Sequence, residues 1–230
     1  MKKTIVFSIM VISLLISSTL VSAANWVDGT YEGWSDASAR SINYAKVFIE
    51  NGEITAVILR EFTNLLVEKD FAVYPWEQAK EAYQTMGQKF IEAQSHDIDI
   101  ITGATGSSVG YIQAVERALM KAEPHAKLGK YFDGVFFGRS DYTGRKYYEV
   151  VRVTIKDDKI ENVAFDRILS DFSQQDPAEY GWPLEMAWES YSEAAKEAVP
   201  GFVDTITGAT GITKTGNIAV RDALDRASTK

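Results

Sequence analysis

The chain has 230 residues, with 24 lysines and arginines against 32 aspartates and glutamates, two histidines and no cysteine. A hydrophobic fraction of 46% and a charged fraction of 24% are those of a globular protein, which excludes a wholly disordered chain. Without cysteine, a catalytic thiol, disulfides, an iron–sulfur cluster and a thiolate zinc site are excluded within this chain. Two histidines predict no histidine-rich metal site. A net charge of −8 without a basic stripe predicts no nucleic-acid partner.

Residues 1–24 have the pattern of a secretory signal peptide. Lys2 and Lys3 form a basic start, the run from Thr4 to Val21 is almost wholly apolar, and a small-residue cleavage site ends at Ala23. We expect cleavage near Ala23 and a folded part that is secreted, periplasmic or at the cell surface. Because the apolar run approaches spanning length, an uncleaved membrane anchor is the alternative.

The rest of the sequence repeats with an offset of 105 residues. DGTYEGWSD, which begins at Asp28, recurs as DGVFFGRSD from Asp133, and DIITGAT, which ends at Thr105, recurs as DTITGAT, which ends at Thr210. Internal repetition of this kind indicates copies of one structural unit. We therefore predict tandem modules over 26–126 and 130–230, joined by a short linker over 126–130.

In chain order, each module is predicted to contain three strands and then two helices. The strands are 31–33, 45–50 and 54–60 in the first module, and 136–138, 148–155 and 159–167 in the second. Asn51-Gly52 and Asp157-Asp158 are the predicted hairpin turns. Helices over 76–94 and 183–198 precede the TGAT segment, and a closing helix with an apolar stripe follows it. This order predicts an α+β fold of two tandem homologous modules, each a small antiparallel sheet packed with helices.

The sharpest repeated feature is the motif D-x-x-T-G-A-T-G. Its small residues allow close approach of a ligand to the backbone, and the free N–H groups of the following helix predict an anion or phosphate site. The alternative is that the hydroxyls of Ser107, Ser108 and Thr213 simply cap the helix. The predicted cofactor-binding residues are Asp99, Thr102, Gly103, Ala104, Thr105, Gly106, Ser107 and Ser108 in the first module, and Asp204, Thr207, Gly208, Ala209, Thr210, Gly211 and Thr213 in the second.

The motif resembles that of the FMN-binding domain found in the C subunit of the sodium-pumping NADH:quinone oxidoreductase and in flavoproteins of extracellular electron transfer. In that family a flavin transferase esterifies the phosphate of FMN to the final threonine of D-x-x-[ST]-G-A-T. The resemblance therefore implies two covalent FMN groups, on Thr105 and Thr210. Asp99 and Asp204 would assist the transferase or orient the loop, with loop capping as the alternative. The chain departs from the family at Ile212, where the family usually has a hydroxyl.

The resemblance also implies a redox carrier rather than an enzyme, without catalytic residues of its own. Electrons would pass from a membrane-bound donor to an extracellular acceptor or partner. No nucleotide-binding glycine motif is present, so we expect another protein to supply the electrons. The aromatic residues available as a wall for the flavin ring are Tyr31, Trp34, Trp76, Phe136, Phe137 and Trp182, although a place in the core is the stronger interpretation for each.

Three other functions fit parts of the sequence. Gly106-Ser107-Ser108-Val109-Gly110 matches the nucleophile motif of serine hydrolases, but the second module has no matching serine. A secreted binding module without flavin would explain the acidic composition. A protein that holds FMN non-covalently is the third alternative.

Overall fold

The computed structural model describes residues 26–141 and 146–230, so the predicted signal peptide lies outside the described residues. The strands are β1 Gly29–Trp34, β2 Ser41–Glu50, β3 Glu53–Thr63, β4 Gly134–Arg139, β5 Tyr147–Lys156 and β6 Lys159–Leu169. The helices are α1 Glu77–Ala93, α2 Thr105–Ala122, α3 Leu184–Glu197 and α4 Thr210–Ala227, with a short 3-10 turn, Pro177–Glu179, before α3.

These elements form two three-stranded antiparallel sheets, β1-β2-β3 and β4-β5-β6. In the N-terminal half, α2 packs on β1 and β2 while α1 packs on β3; in the C-terminal half, α4 packs on β4 and β5 while α3 packs on β6. The prediction of an α+β fold with small antiparallel sheets and packed helices is confirmed. The predicted helices agree with α1 and α3 to within one residue at each end.

Both hairpins turn where the sequence predicts. Asn51 and Gly52 have φ values of 56° and 75°, and Asp157 and Asp158 have φ values of 49° and 63°. Two successive positive φ values match the twist of the flanking strands, and asparagine, aspartate and glycine tolerate them best. Each hairpin also carries a register shift near its turn, between Phe48/Ile49 and Thr154/Ile155.

The aspartate that opens each repeat ties the first strand to the hairpin turn. The carboxylate of Asp28 accepts a hydrogen bond of 2.8 Å from the N–H of Gly52, and that of Asp133 accepts one of 2.8 Å from the N–H of Asp157. The repeated D-G pair therefore has a structural role at the edge of each sheet.

A glycine in each first strand lets a helix rest directly on the strand backbone. A Cβ atom placed on Gly33 would lie 2.0 Å from the carbonyl oxygen of Ala114 in α2, and one on Gly138 would lie 2.0 Å from that of Ala219 in α4. No side chain fits at that separation. The contact therefore fixes α2 and α4, which begin at Thr105 and Thr210, against their sheets.

Arg117 of α2 connects the two halves. One of its terminal nitrogens, Nη2, donates to the carboxylate of Asp36 and to the carbonyl of Asp133, both at 2.8 Å, while Nη1 donates to the carbonyl of Trp34 at 2.7 Å. Its side chain is only 7% exposed. A buried guanidinium with three acceptors, one of them a carboxylate, is a strong connection between the strands that begin the two halves.

Apolar packing and a backbone bond reinforce this connection. Ile42 and Leu66 of the N-terminal half belong to the same buried cluster as the core of the C-terminal half. The N–H of Ala37 donates to the carbonyl of Val135 at 2.7 Å. The predicted linker over 126–130 contains no helix or strand.

The strands are longer than the alternation of the sequence predicts. β2 begins at Ser41 rather than at residue 45, because Ile42 and Asn43 are both buried and interrupt the apolar–polar alternation. Within residues 26–141 and 146–230, no helix is both long and apolar enough to cross a bilayer.

Candidate functional site

The repeated motif forms the same turn in both halves. The N–H of Ala104 donates to the carbonyl of Ile101 at 2.9 Å, and Gly103 has a φ of 83°, which suits the third position of a type II turn. The C-terminal half repeats this with a bond of 3.0 Å from Ala209 to Ile206 and a φ of 80° at Gly208. The residues that lie at the second turn position, Thr102 and Thr207, are exposed.

A buried hydroxyl holds each turn from behind. Ser108 is 0% exposed and its Oγ accepts the N–H of Ile101 at 3.0 Å. In the other half Thr213, 3% exposed, accepts the N–H of Ile206 at 3.2 Å. These two hydroxyls, predicted to contact a cofactor or, alternatively, to cap the helix, accept N–H groups of the turn and not of the helix, so the capping alternative is wrong. Because Ser108 is buried and engaged in this way, the serine hydrolase alternative receives no support.

Thr105 and Thr210 lie at the first position of α2 and α4, directly after the turn rather than within it. Both are exposed, and the residues before them, Ala104 and Ala209, are buried N-caps without a side-chain cap. The first N–H groups of a helix have no partner inside the helix, and the helix dipole is positive there. Each threonine hydroxyl therefore stands beside unsatisfied donors that suit a phosphate.

The aspartates of the two motifs take no part in the hydrogen bonds that hold the turns. Asp99 and Asp204 are exposed, and neither makes a hydrogen bond or ion pair within residues 26–141 and 146–230. The predicted alternative of a loop-capping role has no hydrogen bond to support it.

The remaining predicted residues lie in the first turns of the helices. Gly106 and Gly211 follow the threonines, and the carbonyl of Ser107 accepts a hydrogen bond of 3.4 Å from Nδ2 of Asn43.

A groove lies next to each threonine, and the two grooves differ in their walls. The Thr105 groove, about 700 Å³, is bordered by Ser35, Asp36, Ser38, Asn43, Gln113 and Glu116 among others, with no aromatic residue. The Thr210 groove, about 380 Å³, is bordered by Tyr147, Arg167, Tyr180 and Trp182 together with residues 208–212. Both volumes fall within or near the range of small-molecule sites.

The polar wall of the Thr105 groove is held by hydrogen bonds. Asp36 pairs with Arg117 at 2.8 Å, and Gln113 bonds both the N–H and the carboxylate of Asp36, at 2.7 and 3.1 Å. Glu116 lies 3.9 Å from His96. This groove therefore presents carboxylate and amide groups.

The Thr210 groove is built around a buried ion pair. Nε and Nη2 of Arg167 both donate to Oε1 of Glu149, at 2.9 and 2.5 Å, and both side chains are at most 2% exposed. The guanidinium lies 3.9 Å from the ring centre of Tyr147 and 4.8 Å from that of Tyr180. Burial raises the pKa of the Glu149 carboxyl to about 7, and the Arg167 guanidinium opposes this rise.

Of the aromatic residues considered as a ring wall, Trp182 alone borders one of these two grooves. Trp76 lies beside the first motif, where its indole N–H donates to the carbonyl of Gly103 at 2.9 Å. Phe136 and Phe137 are in the core, at 0% and 2% exposure. The other two candidates make contacts elsewhere: Trp34 packs on Tyr44 and Phe62, and the hydroxyl of Tyr31 donates to Val27.

Comparison with known proteins identifies the N-terminal half. Residues 40–120, which include Thr105 and most of its groove, match the family model of the FMN-binding domain. This part of the chain is an FMN-binding domain. The crystal structure of the CPE2226 protein from Clostridium perfringens is 28% identical, over 42% of this chain and 88% of that chain, with a TM-score of 0.36. No curated protein gives a significant match.

The FMN-binding domain fits the geometry around Thr105. Unsatisfied helical N–H groups and an adjoining groove suit a cofactor with a phosphate group, as FMN has. Sequence reasoning found the motif but missed the groove walls, above all Tyr147, Arg167 and Tyr180. One sequence feature could have indicated Tyr180, because Tyr74-Pro75-Trp76 recurs as Tyr180-Gly181-Trp182 just before the first helix of each half.

Proposed function

We propose that this protein is an electron-transfer flavoprotein that carries FMN covalently on Thr105 and Thr210. Each link is a phosphoester between the FMN phosphate and the threonine Oγ1. A flavin transferase makes it from a flavin dinucleotide: the threonine oxygen loses its proton and attacks the FMN phosphorus, the phosphoanhydride bond breaks, and a nucleoside monophosphate leaves. One observation carries the proposal: an exposed threonine occupies the first position of an uncapped helix in both halves, and one of these halves is an FMN-binding domain.

The proposal treats the two halves as copies of one module, over 26–126 and 130–230. Matching details support this: the positive-φ hairpin turns, the register shift beside each turn, the glycine under each closing helix and the hydroxyl behind each turn. None of these is expected from chance similarity of two small α+β units. In this proposal the C-terminal half is a second flavin-binding unit.

The residues of the chain prepare each threonine for attachment and then hold the product. The glycine turn with its buried serine or threonine directs the hydroxyl outward, because the backbone before it is fixed by two hydrogen bonds. The first N–H groups of α2 and α4 receive the phosphate oxygens. Bound FMN supplies one- and two-electron chemistry that no side chain of this protein offers.

The N-terminal sequence and the covalent link together support a function outside the cytoplasmic membrane. A cofactor joined through an ester cannot diffuse away from an exported protein. In this proposal the signal peptide is removed near Ala23, a membrane-bound donor reduces the flavins, and an extracellular acceptor or partner oxidises them. Sequencing of the amino terminus of the exported protein tests the location: we expect it to begin close to Ala24.

The decisive experiment is the intact mass of the denatured protein after co-expression with a flavin transferase. We expect two adducts in the wild-type protein, each with the mass of FMN less one water. Thr105→Ala and Thr210→Ala should each lose one adduct, and the double variant both. Thr205→Ala is the matched control, because it removes an exposed threonine from the second motif at a position where the two copies differ. It should keep two adducts.

Other results would replace the proposal with its alternatives. An unmodified mass together with a yellow native protein that releases FMN on denaturation would indicate non-covalent binding. A colourless, unmodified protein would indicate a binding module without flavin.

A further inference from the structure

Arg167 has an unsatisfied donor at the Thr210 groove. The residue is 2% exposed and borders the groove. Nε and Nη2 are both used by Glu149, whereas Nη1 has no hydrogen-bond partner in the part of the chain that the structure describes. Buried guanidinium N–H groups are normally satisfied, so Arg167 is a groove residue that retains a free donor for an acceptor on a ligand, although protein atoms cover that nitrogen in the ligand-free structure.

The walls of the same groove suit a flat aromatic ligand. Tyr147 and Tyr180 lie against the guanidinium of Arg167, and Trp182, 40% exposed, forms part of the rim. Aromatic walls favour stacking with a planar ring. Thr210 borders this groove, so a flavin linked to its hydroxyl has an adjoining space for the isoalloxazine ring.

The Thr105 groove lacks both features. In the C-terminal half Arg167 lies opposite Glu149 across the β5–β6 pair, whereas in the N-terminal half Glu61 lies opposite Asn43 across the β2–β3 pair. Glu61 is occupied by Lys69 at 2.5 Å. The charged side chains that border the Thr105 groove are the carboxylates of Asp36 and Glu116.

We propose that the Thr210 groove binds the isoalloxazine ring, with Nη1 of Arg167 donating to its pyrimidine edge, so that the flavin on Thr210 has a higher midpoint potential than the flavin on Thr105. The inference rests on the proposed function. Reduction increases the electron density of the pyrimidine edge, and a charged donor in a buried setting stabilises that density more than water does. The Thr105 groove offers no charged donor, because its charged side chains are Glu116 and an Asp36 that is already paired with Arg117.

The test compares two singly flavinylated proteins. Thr105→Ala carries flavin only on Thr210, and Thr210→Ala carries it only on Thr105, so a redox titration of each gives one midpoint potential. We expect the equilibrium constant for reduction of the flavin on Thr210 to be at least tenfold larger than that for the flavin on Thr105. For a two-electron couple this corresponds to a difference of about 30 mV in midpoint potential. Neither protein needs a substitution in the core.

Replacement of the ion pair tests the contribution of Arg167. In the Thr105→Ala protein, the paired change Glu149→Leu with Arg167→Met removes both charges together and so leaves no orphaned carboxylate. We expect the midpoint potential to fall by most of the difference between the two sites. Arg152→Met is the matched control, because Arg152 is exposed on β5 of the same sheet and borders neither groove. It should leave the potential unchanged.

Flavin fluorescence tests the position of the ring independently. In the Thr105→Ala protein, Trp182→Leu should raise the fluorescence of the flavin because it removes an aromatic quencher from the groove. Trp76→Leu, beside the other motif, should not change it. An equal effect of the two changes would overturn the ring position.

The outcomes separate the inference from the proposed function. Equal potentials in the two singly flavinylated proteins, or no change on replacement of the ion pair, would overturn the inference and leave covalent flavinylation in place. Absence of an adduct on Thr210 would overturn both.

Discussion

At the scale of single residues, the candidate site depends on two buried hydroxyls that hold its turns. Ser108 and Thr213 lie behind the turns that precede the two threonines, and their hydroxyls satisfy one backbone N–H each. The two side chains differ by a methyl group, yet both place an oxygen at the same point. The hydroxyl is therefore the group that the turn requires.

Ser108→Ala should lower the free energy of unfolding by about 1–3 kcal/mol, the usual effect of leaving a buried N–H without its acceptor. The N–H in question is that of Ile101. Urea denaturation measures the loss. Ser107→Ala is the matched control one residue earlier, where the side chain is less buried, and it should change stability by less than about 0.5 kcal/mol. Equal losses in the two variants would show that the bond does not support the turn.

At the scale of elements, the position of each closing helix is set by backbone contact with a strand. Gly33 and Gly138 leave no room for a side chain between β1 and α2 or between β4 and α4. The helices carry the candidate threonines at their first residues, so the strand glycines locate the site even though they lie away from it.

Gly33→Ala should lower the free energy of unfolding by about 1–3 kcal/mol, because the new methyl group would overlap the carbonyl of Ala114. Gly106→Ala is the control, since a Cβ atom there meets nothing within 4 Å. In a helix that change should be neutral or stabilising by up to about 1 kcal/mol. Thermal unfolding of both variants gives the comparison, and a Gly33→Ala protein as stable as the wild type would refute the close contact.

The elements were predictable where their signals are local. Asn51-Gly52 and Asp157-Asp158 specify their turns through positive φ values, and the helical periodicity located α1 and α3. The grooves were not predictable in the same way. Arg167 and Tyr147 reach Thr210 only through the pairing of β5 with β6 and the packing of α4 on the sheet, and no local pattern encodes those.

At the scale of the whole molecule, the two halves are joined by Arg117 and by a shared apolar cluster. The guanidinium bonds groups on both sides, and Ile42 and Leu66 pack into the core of the C-terminal half. The chain should therefore unfold as one cooperative unit rather than as two independent ones.

Arg117→Met should lower stability by at least about 2 kcal/mol, because the carbonyls of Trp34 and Asp133 lose a charged donor. We also expect the single calorimetric transition to broaden or split as the halves become less coupled. Arg152→Met, which removes an exposed arginine, should retain the wild-type transition. A sharp single transition in the Arg117→Met protein would show that the apolar cluster alone couples the halves.

The glycine contacts under α2 and α4 also determine how far apart the two threonines stand. Each helix rests on its strand through main-chain atoms, and Arg117 joins the strands that begin the two halves. The spacing is thus set by main-chain contact within each half and by the buried Arg117 side chain between them. With flavins on both threonines, as proposed, substitutions in either groove would alter the chemistry at that site while the gap that an electron has to cross stays the same.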